Sequence, residues 1–354
     1  MRLPALHIGD LTISPPIVQG GMGVRVSGAR LAAAGANEGC AGTIASVGLG
    51  LFEDAPGSRF VQVNDDALRA QIRAARAASD GVIGVNVMVA LENFANLVAV
   101  ALEEGADFIV SGAGLPLELP RLAAGTPAKL IPIVSSGRAL KIICAKWQKQ
   151  HDRLPDAVVL EGPMAGGHLG FHFGDLVGEG NLSLEQLLVE TLEVAGSFGA
   201  PIPVIAAGGI WDGADIARFL KLGASAVQMA TRFVCTEECD VADAFKQAYV
   251  NAGPDDVRII HSPVGMPARV VMNQFVEAIE RGETVPFRCE YRCLRTCDPS
   301  TAPYCIAKVL ANAAKGVMDQ AFAFAGSNVV RCNEIVTVKE LVAQLVAEAE
   351  AAPE

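Results

Sequence analysis

The sequence has few aromatic residues, since Phe, Tyr and Trp make up only 5% of its 354 positions. Hydrophobic residues nevertheless make up 51% of the sequence, and most of them are Ala, Val, Ile and Leu. Small aliphatic side chains suit parallel strands that are buried on both faces and helices that pack closely around them. Charged residues are also sparse, at 19%. A chain of this length and composition predicts one large core with an added lobe.

The sequence also lacks an excess of positive charge and long apolar runs. The net charge is −11 and no basic stripe is visible, which argues against a nucleic-acid partner. The most apolar stretch, near residues 97–102, is stopped by Glu103 and Glu104, too soon for a membrane span. The N-terminus lacks the basic start and apolar run of a signal peptide. We therefore expect a cytoplasmic protein with reduced cysteines and no membrane partner.

Eight short β-rich apolar runs alternate with Ala-rich helical patterns along the chain. Most of these runs lead into a turn that carries Gly or Ser. Alternating β and α units imply parallel strands, and eight such units predict a closed (β/α)₈ TIM barrel. An open, doubly wound sheet is the alternative. The runs occupy residues 16–19, 41–46, 82–87, 108–111, 130–134, 157–161, 203–206 and 226–229.

The alternation of β and α units stops after the eighth run. We predict that residues 1–234 form the barrel and that residues 235–329 form a mainly helical lobe inserted after strand 8. Helical patterns at 241–252, 268–281 and 304–315 support this lobe. Residues 330–354 contain an amphipathic helix, at 336–349, that returns to the barrel. Residues 3–14 predict a small hairpin that covers the bottom of the barrel, with its turn at Gly9 and Asp10.

The loops after the seventh and eighth runs have the features of a phosphate site. Barrel enzymes place their active sites on the loops that follow the strands, and phosphate groups often bind after strands 7 and 8. Here those loops carry Gly208-Gly209 and Thr231-Arg232. Paired glycines let backbone N–H groups approach a phosphate, and the helix beginning at 213 is expected to direct its positive end there. A Gly-Gly turn alone often reflects simple geometry, but two such loops favour a phosphorylated cofactor.

His168 is the strongest catalytic candidate in the sequence. It follows Gly166 and Gly167 in the loop after the sixth run, on the expected catalytic face. Imidazole is the side chain whose ordinary pKa permits proton transfer near neutral pH. A lone histidine is more often structural, which is what we expect of His7 and His151. We expect His172, four residues beyond His168, to be a bystander.

Six motifs resemble those of one known family, and they follow each other through the whole barrel. The chain resembles the nitronate monooxygenase family, formerly called 2-nitropropane dioxygenases, which includes the FMN-dependent enoyl-acyl carrier protein reductase II enzymes. The motifs are residues 19–23 (Gln-Gly-Gly-Met-Gly), 84–88 (Gly-Val-Asn-Val-Met), 112–114 (Gly-Ala-Gly), 165–168 (Ala-Gly-Gly-His), 203–210 (Pro-Val-Ile-Ala-Ala-Gly-Gly-Ile) and the segment 222–233.

The resemblance implies a barrel that binds one non-covalent FMN. His168 matches the family's catalytic histidine, which acts as a base toward the nitroalkane carbon in the monooxygenases. In the reductases this histidine assists transfer between flavin N5 and the enoyl double bond. The residues implied for the isoalloxazine ring are Gly21, Met22, Gly23 and Asn86; those for the ribityl and phosphate groups are Gly167, Gly208, Gly209, Gln228, Met229 and Thr231; and Glu161, Gly166 and Ala207 complete the expected cofactor site.

The implied activity is the oxidation of alkyl nitronates by dioxygen, with His168 as base. An NAD(P)H-dependent reductase of enoyl thioesters or quinones is the alternative on the same scaffold. A non-redox phosphate-binding barrel would explain the glycine loops, but not residues 19–23 together with Asn86 and His168. Many family members carry Glu where this chain has Met164, and we expect the lobe, with residues 262–267 near the barrel mouth, to select the small-molecule substrate. Family members commonly self-associate, so a homodimer is expected.

Four cysteines crowd into one stretch of the lobe, which the best-known members of the family lack. Thiolates at such spacings can ligate zinc or an iron–sulfur cluster. The four-residue steps predict three sulfur atoms along one helical face, although the spacing matches neither common zinc sites nor the usual ferredoxin runs. Four reduced thiols packed as small apolar side chains are the alternative. Cys235 and Cys239 repeat the step and are expected to be structural. The stretch contains Cys289, Cys293, Cys297 and Cys305.

Overall fold

The computed structural model describes residues 2–54, 57–178 and 182–353. It begins with an antiparallel hairpin of β1 (Leu6–Ile8) and β2 (Leu11–Ile13), as predicted for this segment. Gly9 lies in its turn with a φ of +61°. Leu6, Ile8 and Ile13 belong to the same buried cluster as the side chains inside the barrel, so the hairpin closes the barrel at its bottom.

Eight parallel strands form the barrel, and the fold predicted from the sequence is confirmed. The sheet runs in the order β3-β11-β10-β8-β7-β6-β5-β4. A parallel bridge from Val18 to Ala41 joins its two outer strands, so an open, doubly wound sheet does not describe the chain. The strands are β3 (Ile17–Gln19), β4 (Gly42–Ala45), β5 (Ile83–Asn86), β6 (Phe108–Ser111), β7 (Lys129–Val134), β8 (Val158–Glu161), β10 (Val204–Ala207) and β11 (Ala226–Met229).

The two faces of these strands are both buried, which explains their continuous apolar sequences. In β10, Ile205 packs with the residues of the barrel interior, whereas Val204 and Ala206 pack in the larger cluster that includes the helices. Opposite faces alternate along a strand, and each face here meets an apolar partner. The low aromatic content follows from this arrangement, because small side chains fill a narrow barrel interior.

Helices surround the barrel and follow most of its strands. Three of them begin at a Ser or Asp whose side chain accepts a backbone N–H of the first turn, which is the usual way to cap a helix. The barrel helices are α1 (Ala29–Asn37), α2 (Phe60–Ala78), α3 (Phe94–Glu103), α4 (Leu119–Leu122), α5 (Gly137–His151), α6 (Phe173–Val177), α7 (Leu184–Gly196), α8 (Gly213–Lys221) and α9 (Thr231–Val234).

The segment after α9 adds three helices and an antiparallel sheet. The helices are α10 (Asp243–Val250), α11 (Gln274–Glu280) and α12 (Ile306–Ala314). A hairpin of β12 (Val257–His261) and β13 (Pro267–Val271) pairs with β9 (Gly167–His168) in the loop that follows β8. The helix predicted for residues 268–281 is therefore wrong in its first half. Its β-branched residues extend a strand, and α11 begins only after Asn273, whose side chain caps it.

Residues 281–305 contain neither a helix nor a strand of the described structure, apart from one bridge at Leu294. The expectation of three cysteine sulfur atoms along one helical face is therefore wrong. Pro286, Pro299 and Pro303 interrupt this stretch, and proline disfavours a helix at and before its own position. A four-residue spacing indicates a helix only where such breaks are absent.

The last helix, α13 (Val338–Ala351), returns to the barrel and packs beside α8. Thr337 and Glu340 form a capping box at its start. At its other end, a carboxylate oxygen of Glu348 accepts the backbone N–H of Gly213 at 2.9 Å. Among the described residues, no helix is both long enough and apolar enough to cross a membrane.

Candidate active site

One cavity of about 290 Å³ opens at the carboxyl ends of the barrel strands, close to the lower limit of roughly 300 Å³ for small-molecule sites. All fourteen residues that the sequence indicated for catalysis or cofactor binding line it. The structure therefore brings together residues at the carboxyl ends of five barrel strands, β3, β5, β8, β10 and β11. They are Gly21, Met22, Gly23, Asn86, Glu161, Gly166, Gly167, His168, Ala207, Gly208, Gly209, Gln228, Met229 and Thr231.

The turn after β3 needs glycine because neighbouring side chains leave no room for a Cβ atom. A Cβ on Gly21 would collide with the side chain of Asn86, and a Cβ on Gly23 would collide with that of Val47. The backbone of the turn consequently forms part of the cavity wall itself. A flat ligand could approach its peptide groups without a side chain between them.

The turn after β10 is built from two glycines in a backbone conformation that other residues rarely adopt. Gly208 has a φ of +91° and Gly209 a φ of +90°. The sequence had suggested that the helix beginning at residue 213 directs its positive end to a phosphate. In the structure, acidic side chains already occupy the N-terminus of this helix. Asp212 accepts the N–H of Asp215 at 3.0 Å, and Glu348 already accepts that of Gly213. An anion would therefore meet the glycine turn rather than the start of α8.

Residues 324–328, which the sequence did not indicate, lie against the two loops that were expected to bind phosphate, those after β10 and β11. The N–H of Gly326 donates to Oγ1 of Thr231 at 2.9 Å, and Nδ2 of Asn328 donates to the carbonyl of Gly209 at 2.7 Å. Phe324 lines the same cavity and bridges to Val270 of β13. The alternation of Phe and Ala at 321–325, followed by Gly-Ser-Asn, was the signal that could have revealed it.

His168 is held in place by a strand rather than by a flexible loop. It pairs with Ala268 of β13, and its Nε2 lies 2.7 Å from Oγ of Ser262. The ring of Phe324 meets the imidazole edge-on at 5.0 Å between centroids. Burial lowers the pKa of His168 to about 4. The imidazole is consequently neutral at physiological pH, the state that a proton acceptor requires.

Two other polar side chains, those of Glu161 and Asn93, line this cavity. Burial raises the pKa of Glu161, at the end of β8, to about 7. Nδ2 of Asn93 is buried and has no hydrogen-bond partner in the described structure, although Asn93 lines the cavity. A buried amide that lacks a partner is costly, so this N–H₂ group is suited to an acceptor atom on a ligand.

Arg269 ties the catalytic loop to the lobe. Its guanidinium is buried and donates to the carbonyl groups of Pro163, at 2.8 Å, and Ala165. In the parts of the chain that the structure describes, no carboxylate pairs with it. Its burial lowers its pKa to about 10. No local pattern indicated this residue, because its partners are about a hundred positions away in the chain.

The remaining predicted residues divide between the cavity and its surroundings. Met164 lines the cavity and is 46% exposed, so it can contact a ligand from outside. Within the turn at 262–267, Ser262 is the residue hydrogen-bonded to His168. His172 is exposed and does not belong to the described cavity wall. Cys235 and Cys239 are buried, and Cys239 lies 3.3 Å from the carbonyl of Val26.

The four cysteines of the irregular segment are half-buried and free of disulfides. Cys293 lines the cavity, and its carbonyl accepts the N–H of Glu92 at 3.1 Å. Within the described ranges, no three His, Cys, Asp or Glu side chains are close enough together to hold a single metal ion. Through Cys293, the segment therefore reaches the edge of the active-site cavity.

Comparison with known proteins identifies the family. The model of the nitronate monooxygenase family matches residues 5–106 and 90–348. The chain belongs to this family. It is accordingly an enzyme of the oxidoreductase class, as the resemblance of its motifs implied.

Its relatives differ in their activities. A protein of Mycobacterium tuberculosis, "(3aS,4S,5R,7aS)-5-hydroxy-7a-methyl-1-oxo-octahydro-1H-indene-4-carboxyl-CoA dehydrogenase", is 32% identical over 80% of this chain and 69% of its own. A probable nitronate monooxygenase of Staphylococcus aureus is 34% identical, but over only 36% of this chain and 35% of its own.

Two solved structures have the same fold as this chain. FabK from Thermotoga maritima superposes with a TM-score of 0.73 and 28% identity, over 95% of this chain and 92% of its own. A nitroalkane oxidase from Streptomyces ansochromogenes also gives 0.73, over 95% of each chain, but at 23% identity, a likeness of fold alone.

Proposed function

We propose that this enzyme binds FMN in the cavity and that His168 moves the proton that accompanies electron transfer to or from the substrate. The observation that carries the proposal is the convergence of the residues implied for the flavin with a neutral imidazole around one cavity. The residues present fit such a group. The side-chain-free turn at Gly21 suits a flat ring, and the glycine turn at Gly208 and Gly209 suits a phosphate.

Bound FMN would supply the two-electron redox chemistry, and the chain supplies binding, orientation and proton transfer. Asn86 and Gln228 would hydrogen-bond polar atoms of the ring and ribityl chain, and the unpaired amide of Asn93 is available for a further acceptor. His168 takes up or releases a proton at Nε2 or through Ser262 Oγ, which lies 2.7 Å away. Phe324 packs against the imidazole and restricts its rotation.

The substrate that we favour is an acyl thioester in which a carbon near the carbonyl group is reduced or oxidised. A relative that is 32% identical over 80% of this chain is a dehydrogenase of a carboxyl-CoA compound. On the side of the lobe, Leu294, Ile306 and Leu310 line the cavity, and Phe60 and Leu91 are further apolar residues of its wall. Such a wall accommodates an alkyl chain or an alicyclic ring.

Oxidation of alkyl nitronates by dioxygen, the first expectation from the sequence, is the second candidate. The family match favours it. A neutral imidazole can accept the proton that a nitroalkane loses when it becomes its nitronate. Reduction of an enoyl thioester instead requires a proton at the α-carbon, which His168 would relay through Ser262 Oγ or from solvent. The redox partner separates them, since a reductase takes a hydride from NADH or NADPH, whereas in the monooxygenase the nitronate supplies the electrons and dioxygen accepts them.

The test is the visible spectrum of the purified protein under anaerobic conditions. We expect NADH or NADPH to bleach the flavin band and an enoyl-CoA to restore it, with formation of the saturated thioester. A protein that neither nucleotide bleaches, and that consumes dioxygen with a propyl nitronate, would instead support the second candidate. A colourless protein that fails to bind added FMN would contradict both. The His168→Asn variant is the matched control, because it should keep the flavin and lose turnover.

A further inference from the structure

We propose that this chain also binds an iron–sulfur cluster at the edge of the active-site cavity, through the four thiolates of Cys289, Cys293, Cys297 and Cys305. Iron–sulfur clusters are held by four cysteine thiolates whose spacing differs between families. The site goes beyond the flavin chemistry proposed above, and its presence does not depend on that chemistry.

A backbone hydrogen bond joins the two ends of the segment that carries these cysteines. The N–H of Val285 donates to the carbonyl of Pro303 at 2.7 Å, which brings the two ends of the segment together. Residues 281–305 lack regular secondary structure in the described chain, and irregular loops of this length are uncommon unless they have a function. A bound cluster would explain how such a segment keeps a defined shape.

The backbone is strained next to one of the thiols. Arg292 directly precedes Cys293 and has a φ of +43°, in the left-handed region that bulky residues rarely adopt. Such conformations persist where the surrounding structure imposes them, and they concentrate at functional sites. The sharp bend at Arg292 separates Tyr291, whose ring packs 5.0 Å from that of Phe60, from Cys293 at the cavity.

The four thiols lie within electrostatic range of one another. Cys305, Cys297 and Cys289 all interact electrostatically with Cys293, and Cys289 and Cys305 interact with Cys297. The chain therefore folds all four cysteines around a common region, although they span 17 positions of the sequence.

The arrangement of the thiols favours a cluster over a single zinc ion. Four sulfur atoms around zinc stand about 2.3 Å from the metal and consequently almost touch each other. Among the described residues, no three His, Cys, Asp or Glu side chains form a group that could hold one metal ion. A cubane of iron and sulfide holds its four thiolates at its corners, further apart. Binding releases the four thiol protons to solvent, since only thiolates ligate iron.

The position of the site connects it with the proposed flavin. Cys293 and Leu294 line the same cavity as His168 and Gly21. An antiparallel bridge between Leu294 and Leu91, and a hydrogen bond of 3.0 Å from the Arg295 N–H to the Ala90 carbonyl, fix the segment to the loop after β5. A cluster held here would lie against the cavity wall rather than in a remote lobe.

The experiment is metal and sulfide analysis of protein that has been purified and reconstituted anaerobically with ferrous iron and sulfide. We expect about four iron and four acid-labile sulfide per chain, in addition to any flavin, and a paramagnetic signal after reduction by dithionite. One zinc per chain without sulfide would overturn the proposal, and so would the absence of both metals. Flavin released by denaturation is measured separately, so failure of the flavin proposal remains distinguishable.

Variants then assign the ligands. Each of the four changes Cys289→Ser, Cys293→Ser, Cys297→Ser and Cys305→Ser should lower the iron and sulfide content by at least half. Cys144→Ala is the matched control, because Cys144 is buried in α5, outside this segment, and should retain the full content. Circular dichroism reports whether a variant is folded. Equal iron content in the folded control and all four folded variants would refute the assignment.

Discussion

The Oγ atom of Ser262 lies 2.7 Å from Nε2 of His168 and joins two residues that are 94 positions apart in the chain. Ser262 is buried and follows β12, whereas His168 lies in β9. The hairpin of the lobe thus orients the group that we propose for proton transfer. The side chain of a base is effective only when its nitrogen is directed at the reacting atom, which gives this contact a role in positioning.

Removal of the hydroxyl should impair turnover more than binding. For Ser262→Ala we expect kcat to fall roughly tenfold with little change in KM. The poorly oriented imidazole would raise the activation free energy by about 1.4 kcal/mol, whereas the cavity keeps its shape. Stopped-flow measurement of the rate at which substrate reoxidises or reduces the flavin reports this step. Ser262→Thr keeps a hydroxyl and should recover most of the rate. Equal rates in Ser262→Ala and the wild type would show that the contact has no catalytic role.

The pH at which activity declines on the acidic side should be lower than for an ordinary histidine. Burial lowers the pKa of His168 to about 4, from an ordinary value of 6.5. The neutral imidazole therefore persists as pH falls through 6, and the activity of the free enzyme should decline only as pH approaches about 4. The measurement is kcat/KM as a function of pH. A limb near pH 6.5 would mean that His168 is exposed to solvent or is not the titrating base.

Arg269 should contribute to stability through its two backbone acceptors. Arg269→Met retains much of the packing but leaves the carbonyl groups of Pro163 and Ala165 without their donor. Each buried group that loses its partner costs about 1–3 kcal/mol, so we expect the free energy of unfolding to fall by at least about 2 kcal/mol. Urea denaturation measures this loss. Exposed Arg258→Met in the same lobe is the control and should change stability by less than about 0.5 kcal/mol.

Glu161 should make stability depend on pH. Its pKa in the folded state is raised to about 7 by burial, whereas the unfolded chain ionises this group near 4.5. Between these values the unfolded state loses its proton first, so stability declines as pH rises from 4.5 to 7 and is level above 7. Glu161→Gln removes this decline. Urea unfolding should show the variant to be more stable by about 1–3 kcal/mol at pH 8 and similar at pH 4. A constant difference at both pH values would contradict the raised pKa.

The barrel and most of its site could be predicted because their signals are local. Each strand is one apolar run followed by its own turn, and the carboxyl ends of parallel strands meet at one edge, so Gly21, Asn86, His168 and Gly208 needed no knowledge of tertiary contacts to be placed together. The helices at 184–198 and 336–349 were predicted to within two residues of α7 and α13, because apolar periodicity and capping residues agree there.

The contributions of the lobe could not be predicted, because they depend on pairings between distant residues. β13 pairs with β9 about a hundred positions earlier, and residues 268–271 form a strand only because that partner exists. Their sequence, Ala-Arg-Val-Val, is compatible with a helix when seen alone. Arg269 and Asn328 likewise acquire their roles from carbonyl groups in distant loops. The division into residues 1–234, 235–329 and 330–354 and the homodimer remain predictions.

Asn328 should control how tightly the enzyme retains FMN. Its Nδ2 donates to the Gly209 carbonyl at 2.7 Å and so fixes the glycine turn that we propose for the phosphate group. In Asn328→Ala this turn loses a hydrogen bond worth about 1 kcal/mol and becomes less well ordered before FMN binds. We expect the Kd for FMN to rise roughly five- to tenfold, as measured by flavin fluorescence during titration of the apoprotein. Asn333→Ala is the matched control, since Asn333 is exposed and lies outside the described wall of the active-site cavity. An equal Kd in both variants would show that the turn is positioned by its glycines alone, and a weaker affinity confined to Asn328→Ala would place the phosphate at this turn.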